Sequence, residues 1–149
     1  MRLDQTFKEF IEFLNARDVH YLIVGGYAVG AHGLPRATKD LDVWVLADER
    51  NAELLMTALV DFGFGDVGLS ASDFTRDDVV VQLGYPPLRI DILTSIDGVT
   101  FAEAYPQRVE EQIDGVRMAF IGREQLIVNK RASGRSQDLA DADRLEGHE

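Results

Sequence analysis

A run of four apolar residues at positions 21–24 ends directly in two glycines, Gly25 and Gly26. A short apolar run bounded by glycine is typical of a buried strand, and the glycine pair indicates a tight turn after it. Residues 27–32 then have a short helical pattern, which Gly33 can close as a left-handed cap. This order of elements predicts an α/β fold.

The next predicted strand covers residues 41–46. Asp40 comes directly before it, and Asp42 is its second residue. Because successive side chains of a strand alternate between faces, both aspartates point one way while Leu41 and Val43 point into the core. A third aspartate, Asp91, stands within another strand pattern at residues 88–93. If the two strands are neighbours, three carboxylates converge on one face.

The other elements are predicted from periodicity, capping residues and turn signals. We predict helices over residues 3–17 and 125–132, a helix capped by Asp48 that runs through residue 61 and is stopped by Gly63, and a final helix capped by Ser136. We also predict strands over 79–83 and 88–93 with a turn at 84–87, a hairpin of 108–113 and 116–121 around Asp114 and Gly115, and a loop with room for a short strand over 63–73. Together they predict a single domain over residues 1–149, with a small mixed sheet and helices at both chain ends.

Composition excludes several classes of protein. The chain contains no cysteine, so disulfide frameworks and thiolate metal sites are excluded. No apolar run reaches the ~18 residues that span a bilayer, and the first ten residues lack an apolar signal-peptide core. We therefore expect a soluble, cytoplasmic protein with no membrane association. The formal net charge of −11 favours a small substrate or a protein partner over a polyanion, apart from any locally basic patch.

Three adjacent carboxylates need a counter-charge, because two unit charges ~4 Å apart repel by about 4 kcal/mol at an effective dielectric constant near 20. A pair of Mg²⁺ ions, or Mn²⁺, removes this repulsion and creates a phosphoryl-transfer site. The glycine pair would expose backbone N–H groups at a helix N-terminus, where a triphosphate can bind. The alternative for Asp91 is a salt bridge to Arg89 on the same strand face.

This pattern resembles the nucleotidyltransferase superfamily, in which an apolar residue, Gly, and then Gly or Ser precede Asp-x-Asp or Asp-x-Glu. Here 13 residues separate Gly26 from Asp40, and residues 36–42 look most like the branch that holds abortive-infection-type toxins and small antibiotic nucleotidyltransferases. The resemblance implies a polymerase-β-like fold in which Gly25 and Gly26 approach the triphosphate. It also implies that the metal is held by three catalytic residues: Asp40, Asp42 and Asp91. Many members have Ser where Gly26 stands, a difference that weakens arguments about affinity.

Three further residues are expected in the nucleotide site: Arg36, Thr38 and Lys130. Arg36 flanks the aspartates together with Lys39 and can steer phosphate, the alternative being an exposed loop pair. The branch has a lysine on its penultimate helix that contacts nucleotide phosphates, as Lys130 would here. The alternative for Lys130 is a solvated helix face.

Trp44 and His32 carry weaker signals. Trp44 shares a strand face with Asp42, yet a core aromatic residue is favoured over a base-stacking one. His32 is favoured as a histidine that ends a short helix rather than as a base. His20 and His148 have no ligand spacing, which argues against zinc.

The resemblance implies an enzyme that moves a nucleotidyl group from a nucleoside triphosphate, such as ATP, to an acceptor hydroxyl on RNA or tRNA, a protein or a small molecule. A second hypothesis is a catalytically weak or inactive antitoxin or regulatory protein that acts by binding a protein partner. A third is a nucleotide-binding sensor. For the enzyme, recognition of the acceptor would call for a protein partner or a homodimer.

Overall fold

The computed structural model describes residues 3–36, 38–65, 67–85 and 87–147, and Tyr85 is described by its backbone alone. The helices of this part of the chain are α1 (Gln5–Ala16), α2 (Gly25–Ala31), α3 (Glu49–Phe62), α4 (Phe101–Ala104), α5 (Arg123–Ser133) and α6 (Ser136–Gly147). The strands are β1 (Tyr21–Val24), β2 (Asp40–Val45), β3 (Val80–Tyr85), β4 (Leu88–Leu93), β5 (Val109–Ile113) and β6 (Val116–Phe120).

The strands form one six-stranded sheet in the order β3-β4-β2-β1-β6-β5. Strands β2 and β4 are parallel, as are β1 and β6, while β1 and β2 are antiparallel. The hairpins β3–β4 and β5–β6 are antiparallel and form the two edges. The sheet is therefore mixed and carries helices, as predicted, and the strands with the aspartates, β2 and β4, are neighbours inside it.

Local sequence signals explain where the first helices begin and end. Asp4 accepts a hydrogen bond from the N–H of Thr6 at 2.8 Å and caps α1. Asp48 caps α3 by accepting from the N–H of Asn51 at 2.7 Å. Gly63 ends α3 with φ of 101°, a left-handed conformation that glycine adopts without steric cost. The predicted cap and stop of α3 are confirmed, whereas α1 begins at Gln5 rather than at residue 3.

The hairpin at Asp114 and Gly115 is also confirmed. Their φ values are +50° and +82°, and positive φ at both central residues is what a tight two-residue hairpin turn requires. The turn sets Ile113 opposite Val116, and both side chains are buried.

Several expected boundaries are wrong. Helix α2 begins at Gly25 rather than at residue 27, so the glycine pair forms the first helical turn. The described part of residues 63–73 contains no strand, and a 3-10 turn begins at Ala71. Gly84 and Tyr85 continue β3 instead of forming the turn, whereas Pro86 lies outside the described residues. Ser136 is the first residue of α6 rather than its cap.

Helix α4 was not predicted, although a signal for it was available. Thr100 and Glu103 form a reciprocal capping box, in which each side chain bonds to the other residue's backbone N–H. The helix places Phe101 against Trp44 with ring centroids 5.1 Å apart. Trp44 is only 1% exposed, so the interpretation as a core residue is confirmed.

None of the helices in the described ranges has the length and apolar character needed to cross a membrane.

Candidate active site

Asp40 and Asp42 share one face of β2, as the alternation of side chains predicts. Both are half-buried, whereas Leu41 and Val43 on the opposite face are completely buried. The apolar face fixes the register of the strand, because a slip by one residue would turn both aspartates into the core.

Strand pairing brings the third aspartate to the same place. In the parallel β2–β4 ladder, Asp42 lies directly beside Asp91, and Asp40 lies beside Arg89. Directly paired residues point to the same face of a sheet. The structure therefore brings Asp40, Asp42 and Asp91 together, while their metal-binding and catalytic roles stay predictions.

Arg89 links two of these carboxylates. Its Nε donates to Oδ1 of Asp91 at 2.8 Å, and its Nη2 donates to Oδ2 of Asp91 at 3.1 Å. The same Nη2 donates to Oδ2 of Asp40 at 3.0 Å. The predicted Arg89–Asp91 salt bridge is thus present, and Asp40 joins it.

Asp42 carries the electrostatic cost of this arrangement. Burial raises the pKa of Asp42 to about 7, with further contributions from the negative charges of Asp91 and Asp40. The charges of Arg89 and Lys130 act in the opposite direction without cancelling the effect. A carboxyl whose ionised form is this unfavourable marks excess negative potential, which a bound cation would relieve.

The donor set suits a hard divalent cation, because Mg²⁺ and Mn²⁺ prefer carboxylate oxygens. As the described side chains are placed, however, no group of three or more His, Cys, Asp or Glu residues is arranged to hold a metal ion. The guanidinium group of Arg89 lies between two of the three carboxylates. The residues therefore fit the cation in type, and a metal site formed by them stays a prediction.

Gly25 lies directly against Asp42. A Cβ atom at this position would lie 2.2 Å from Oδ2 of Asp42, and the φ of Gly25 is +69°. Both the contact and the backbone conformation exclude a larger residue. The start of α2 is therefore held against the carboxylate.

Gly26 lies against Thr38. A Cβ atom on Gly26 would lie 3.1 Å from both Cβ and Oγ1 of Thr38 and 3.5 Å from Cδ of Arg36. The structure thus brings Gly26 together with Arg36 and Thr38, two other predicted nucleotide-binding residues, at the start of α2. The hydroxyl of Thr38 lies close to the position where many nucleotidyltransferases carry a serine side chain.

Lys130 is buried, at 8% exposure, so the interpretation as a solvated helix face is wrong. Its Nζ donates to Oδ1 of Asp138 at 3.0 Å and to Oδ2 of Asp141 at 3.1 Å. Arg36 also binds Asp141, through Nη1 to Oδ2 at 2.8 Å and through Nη2 to Oδ1. The exposed-loop interpretation of Arg36 is therefore wrong as well, since the loop before β2 is tied to α6.

Sequence reasoning missed Asp141, which is completely buried. Burial alone would raise its pKa, but hydrogen bonds from Arg36 and Lys130 and the charges of both lower the pKa of Asp141 to about 2. The spacing of Asp138 and Asp141 was a usable signal, because residues three apart share a helix face.

A cleft of about 220 Å³ connects the two groups of charged residues. Gly25 and Asp42 line it on the sheet side, and Lys130, Arg135 and Asp138 line it on the helical side. His32 lies elsewhere, with Nε2 bonded to the carbonyl oxygen of Ile121 at 2.7 Å, as expected of a residue that ends a short helix. His148 lies outside the described residues.

Residues 1–145 match the family described as nucleotidyltransferase of unknown function (DUF6036). The chain belongs to this nucleotidyltransferase family. The match extends over nearly the whole sequence and includes every residue of the candidate site. A comparison with curated proteins finds no match.

Solved structures support the same fold. An antigenic nucleotidyltransferase-like protein from Paracoccidioides brasiliensis is 20% identical, with a TM-score of 0.59 over 93% of this chain and 72% of that one. The lincomycin-bound lincosamide antibiotic adenylyltransferase LnuA is 12% identical, with a TM-score of 0.56 over 97% of this chain and 96% of that one. ANT(2'')-Ia in complex with adenylyl-2''-tobramycin is 14% identical, with a TM-score of 0.56 over 95% and 91%. The predicted resemblance to nucleotidyltransferases, small antibiotic-modifying ones included, is confirmed.

Proposed function

We propose that this family member transfers a nucleotidyl group from a magnesium-bound nucleoside triphosphate to the hydroxyl of a small acceptor. The observation that carries the proposal is the parallel register that sets Asp42 beside Asp91, with Asp40 on the same face. Such a cluster is unfavourable without a cation and useful with one.

The three aspartates would hold Mg²⁺ or Mn²⁺, which when bound neutralises phosphate charge and stabilises the attacking and leaving oxygens. Asp91 is the proposed acceptor of the hydroxyl proton. The acceptor oxygen forms a bond to the α-phosphorus, and the bond from that phosphorus to its oxygen bridging to the β-phosphate breaks. Pyrophosphate leaves with the electron pair. Most of the rate enhancement would come from positioning and charge neutralisation.

The triphosphate is proposed to bind in the 220 Å³ cleft, because this cleft joins Asp42 and Gly25 to Lys130 and Arg135. The side chain of Arg135 is 78% exposed and can follow a phosphate at low cost. Thr38 would supply a hydroxyl beside Gly26, where the family commonly has serine. ATP is the first nucleotide to test.

A small acceptor is favoured over RNA. A second cleft, of about 410 Å³, meets the first at Ser95 and Ile96. Asp77 and Asp78 line it, and none of its described lining residues is lysine or arginine. This surface and the net charge of −11 disfavour a polyanion, whereas they suit a hydroxylated compound that carries positive charge.

The test uses triphosphates labelled at the α-phosphate, with Mg²⁺, the wild-type protein and panels of hydroxylated amines, proteins and RNAs. Labelled product should form from a hydroxylated amine, and Asp42→Asn should reduce its formation by roughly a hundredfold or more, the scale of losing one preorganised electrostatic contact. Asp114→Asn is the matched control, because Asp114 lies in an exposed hairpin turn whose positive φ asparagine tolerates. Equal labelling by Asp42→Asn and wild type would refute the site assignment.

The same material separates an enzyme from a binding protein. Calorimetry with ATP and Mg²⁺ should show binding, followed by turnover when acceptor is added. Tight nucleotide binding without turnover would favour the sensor hypothesis. Absence of triphosphate binding together with a co-purified protein would favour the antitoxin or regulatory hypothesis. Separately, fractionation of cells would test the predicted cytoplasmic location.

A further inference from the structure

Among the described residues, Arg89 is the one cationic residue bonded to the carboxylates of the candidate site, namely to Asp40 and Asp91. Sequence reasoning considered it only as a partner of Asp91. It lies two residues before Asp91 on β4 and beside Asp40 on β2. Its side chain is 29% exposed, compared with 12% for Asp91 and 40% for Asp40. The guanidinium group is therefore partly buried against the sheet yet retains an open side.

The hydrogen bonds place Nη2 between two carboxylates on different strands, 3.0 Å from Oδ2 of Asp40 and 3.1 Å from Oδ2 of Asp91. The Nε contact to Oδ1 of Asp91 at 2.8 Å makes the Asp91 interaction bidentate. Bidentate guanidinium–carboxylate pairs are geometrically specific and stronger than neutral hydrogen bonds. Arg89 thus performs the electrostatic task that a cation shared by Asp40 and Asp91 would perform.

The two cations compete for the same oxygens. A Mg²⁺ ligand oxygen lies about 2.0–2.1 Å from the metal, and Arg89 already occupies one of the two lone pairs on each of three such oxygens, both of Asp91 and one of Asp40. A guanidinium and a divalent ion within ~4 Å also repel each other strongly in a partly buried site. Arg89 and a divalent ion therefore weaken each other's binding while the side chains keep their present orientation.

We propose that Arg89 is a built-in counter-cation, which holds Asp40 and Asp91 until a divalent metal binds and is displaced by that metal through its open side. This inference rests on the metal site of the proposed function and makes Arg89 a positioning residue. Because coupling between two binding events is reciprocal, Arg89 weakens metal binding by the factor by which the metal weakens the Arg89 contacts.

The first measurement is calorimetric titration of Mn²⁺ alone, and then Mg²⁺ alone, into the wild type, Arg89→Gln and Arg89→Lys. Arg89→Gln should bind Mn²⁺ roughly fivefold or more tightly than wild type, the lower end of typical coupling factors. Arg17→Gln is the matched control, because Arg17 pairs with Asp61 at 2.7 Å on a different surface, between α1 and α3. It should bind like the wild type.

Arg89→Lys tests whether metal binding is opposed by the bridging geometry of the guanidinium group, called here the Arg89 clamp, or by its positive charge alone. Lysine retains the positive charge but lacks the planar fork that joins two carboxylates. If the clamp competes with the metal, Arg89→Lys should bind Mn²⁺ more tightly than wild type, approaching Arg89→Gln. Affinity of Arg89→Lys equal to that of the wild type would overturn the clamp.

The second measurement uses the wild type alone and does not depend on the folding of any variant. The Nε–H signal of Arg89, assigned by through-bond connectivity in the NMR spectra of the wild type, should exchange slowly with water before metal is added. Saturation with Mg²⁺ should shift the signal and speed its exchange. An unchanged, protected signal at saturation would overturn the inference.

The outcomes distinguish this inference from the proposed function. Equal Mn²⁺ binding by wild type, Arg89→Gln and Arg89→Lys would refute the counter-cation and leave the metal site standing. No Mn²⁺ or Mg²⁺ binding by any of these proteins, with or without ATP, would refute both.

Discussion

Two charged clusters adjoin the same cleft and differ in how their charge is balanced. The carboxylate cluster consists of Asp40, Asp42, Asp91 and Arg89, so three carboxylates share one bonded cation. The helix cluster consists of Arg36, Lys130, Asp138 and Asp141, in which two cations meet two carboxylates, and the exposed Arg135 adds a further bond to Asp138.

The pKa values show what this difference means. The pKa of Asp42 is raised to about 7 by burial and by its acidic neighbours. Hydrogen bonds and cationic charges outweigh burial at Asp141 and lower its pKa to about 2. The carboxylate cluster is under-neutralised, whereas the helix cluster is fully paired and holds α5, α6 and the loop before β2 together. The same residue types thus form an under-neutralised cluster on the sheet and a fully paired cluster between the helices.

The largest expected effect is on the helix cluster. Asp141→Asn removes the charge that balances Arg36 and Lys130 and should lower the free energy of unfolding by about 3–5 kcal/mol, as breaking a buried ion pair does. Asp143→Asn is the matched control, since its exposed side chain pairs only across the surface with Arg131 and the change should cost less than about 1 kcal/mol. Urea denaturation measures both. Equal stability of the two variants would show that the helix cluster does not stabilise the packing of α5, α6 and the loop before β2.

Gly25→Ala should disturb the carboxylate cluster directly. The new Cβ would lie 2.2 Å from Oδ2 of Asp42, in addition to the left-handed strain of about 1–2 kcal/mol. Gly63→Ala isolates the strain, because Gly63 also has positive φ but no atom would lie within 4 Å of its Cβ. We expect Gly25→Ala to lose more stability than Gly63→Ala and to lose labelling activity, which Gly63→Ala should retain. Full activity of Gly25→Ala would contradict the close contact with Asp42.

When metal is removed by a chelator, the contributions of the two clusters to the free energy of unfolding should depend on pH with opposite signs. The folded protein holds the Asp42 proton more tightly than the unfolded chain, so this stabilisation is complete below the unfolded pKa of about 3.9 and is lost as pH rises through about 7. Asp141 behaves oppositely: its contribution is present above about pH 4 and is lost as pH falls through about 2.

Thermal unfolding of wild type and Asp42→Asn between pH 4 and 8 checks the first sign. The advantage of the wild type over the variant should shrink as pH rises toward 7 and level off above it. A difference that does not vary with pH would mean that the carboxylate cluster is not under-neutralised.

The smallest expected effect is on nucleotide affinity. Thr38→Val keeps the shape of the side chain beside Gly26 but removes its hydroxyl, and one hydrogen bond of about 0.5–1.5 kcal/mol corresponds to a severalfold rise in KM for ATP. Thr57→Val is the control, because Thr57 is exposed on α3 and its hydroxyl donates to the carbonyl oxygen of Glu53 in the same helix. In steady-state kinetics, a raised KM for ATP with unchanged kcat would support the assignment of Thr38 to the triphosphate site. An unchanged KM would contradict it.

Local features of the chain could be predicted because their causes lie within a few residues. Alternation put Asp40 and Asp42 on one face, and Asp48, Gly63 and the Asp114–Gly115 pair marked a helix start, a helix end and a turn. Each depends on backbone geometry and on side chains of the same segment.

The contacts that define the two clusters depend on elements far apart in sequence. Asp42 and Asp91 meet only because β2 and β4 are parallel neighbours in register, and Arg89 reaches Asp40 across 49 positions for the same reason. Arg36 and Asp141 are 105 positions apart and meet because α6 packs beside the loop before β2. Strand order and helix docking are set by the burial of the whole core. The sequence alone therefore determined which side chains share a face, and only tertiary packing decided which charges meet.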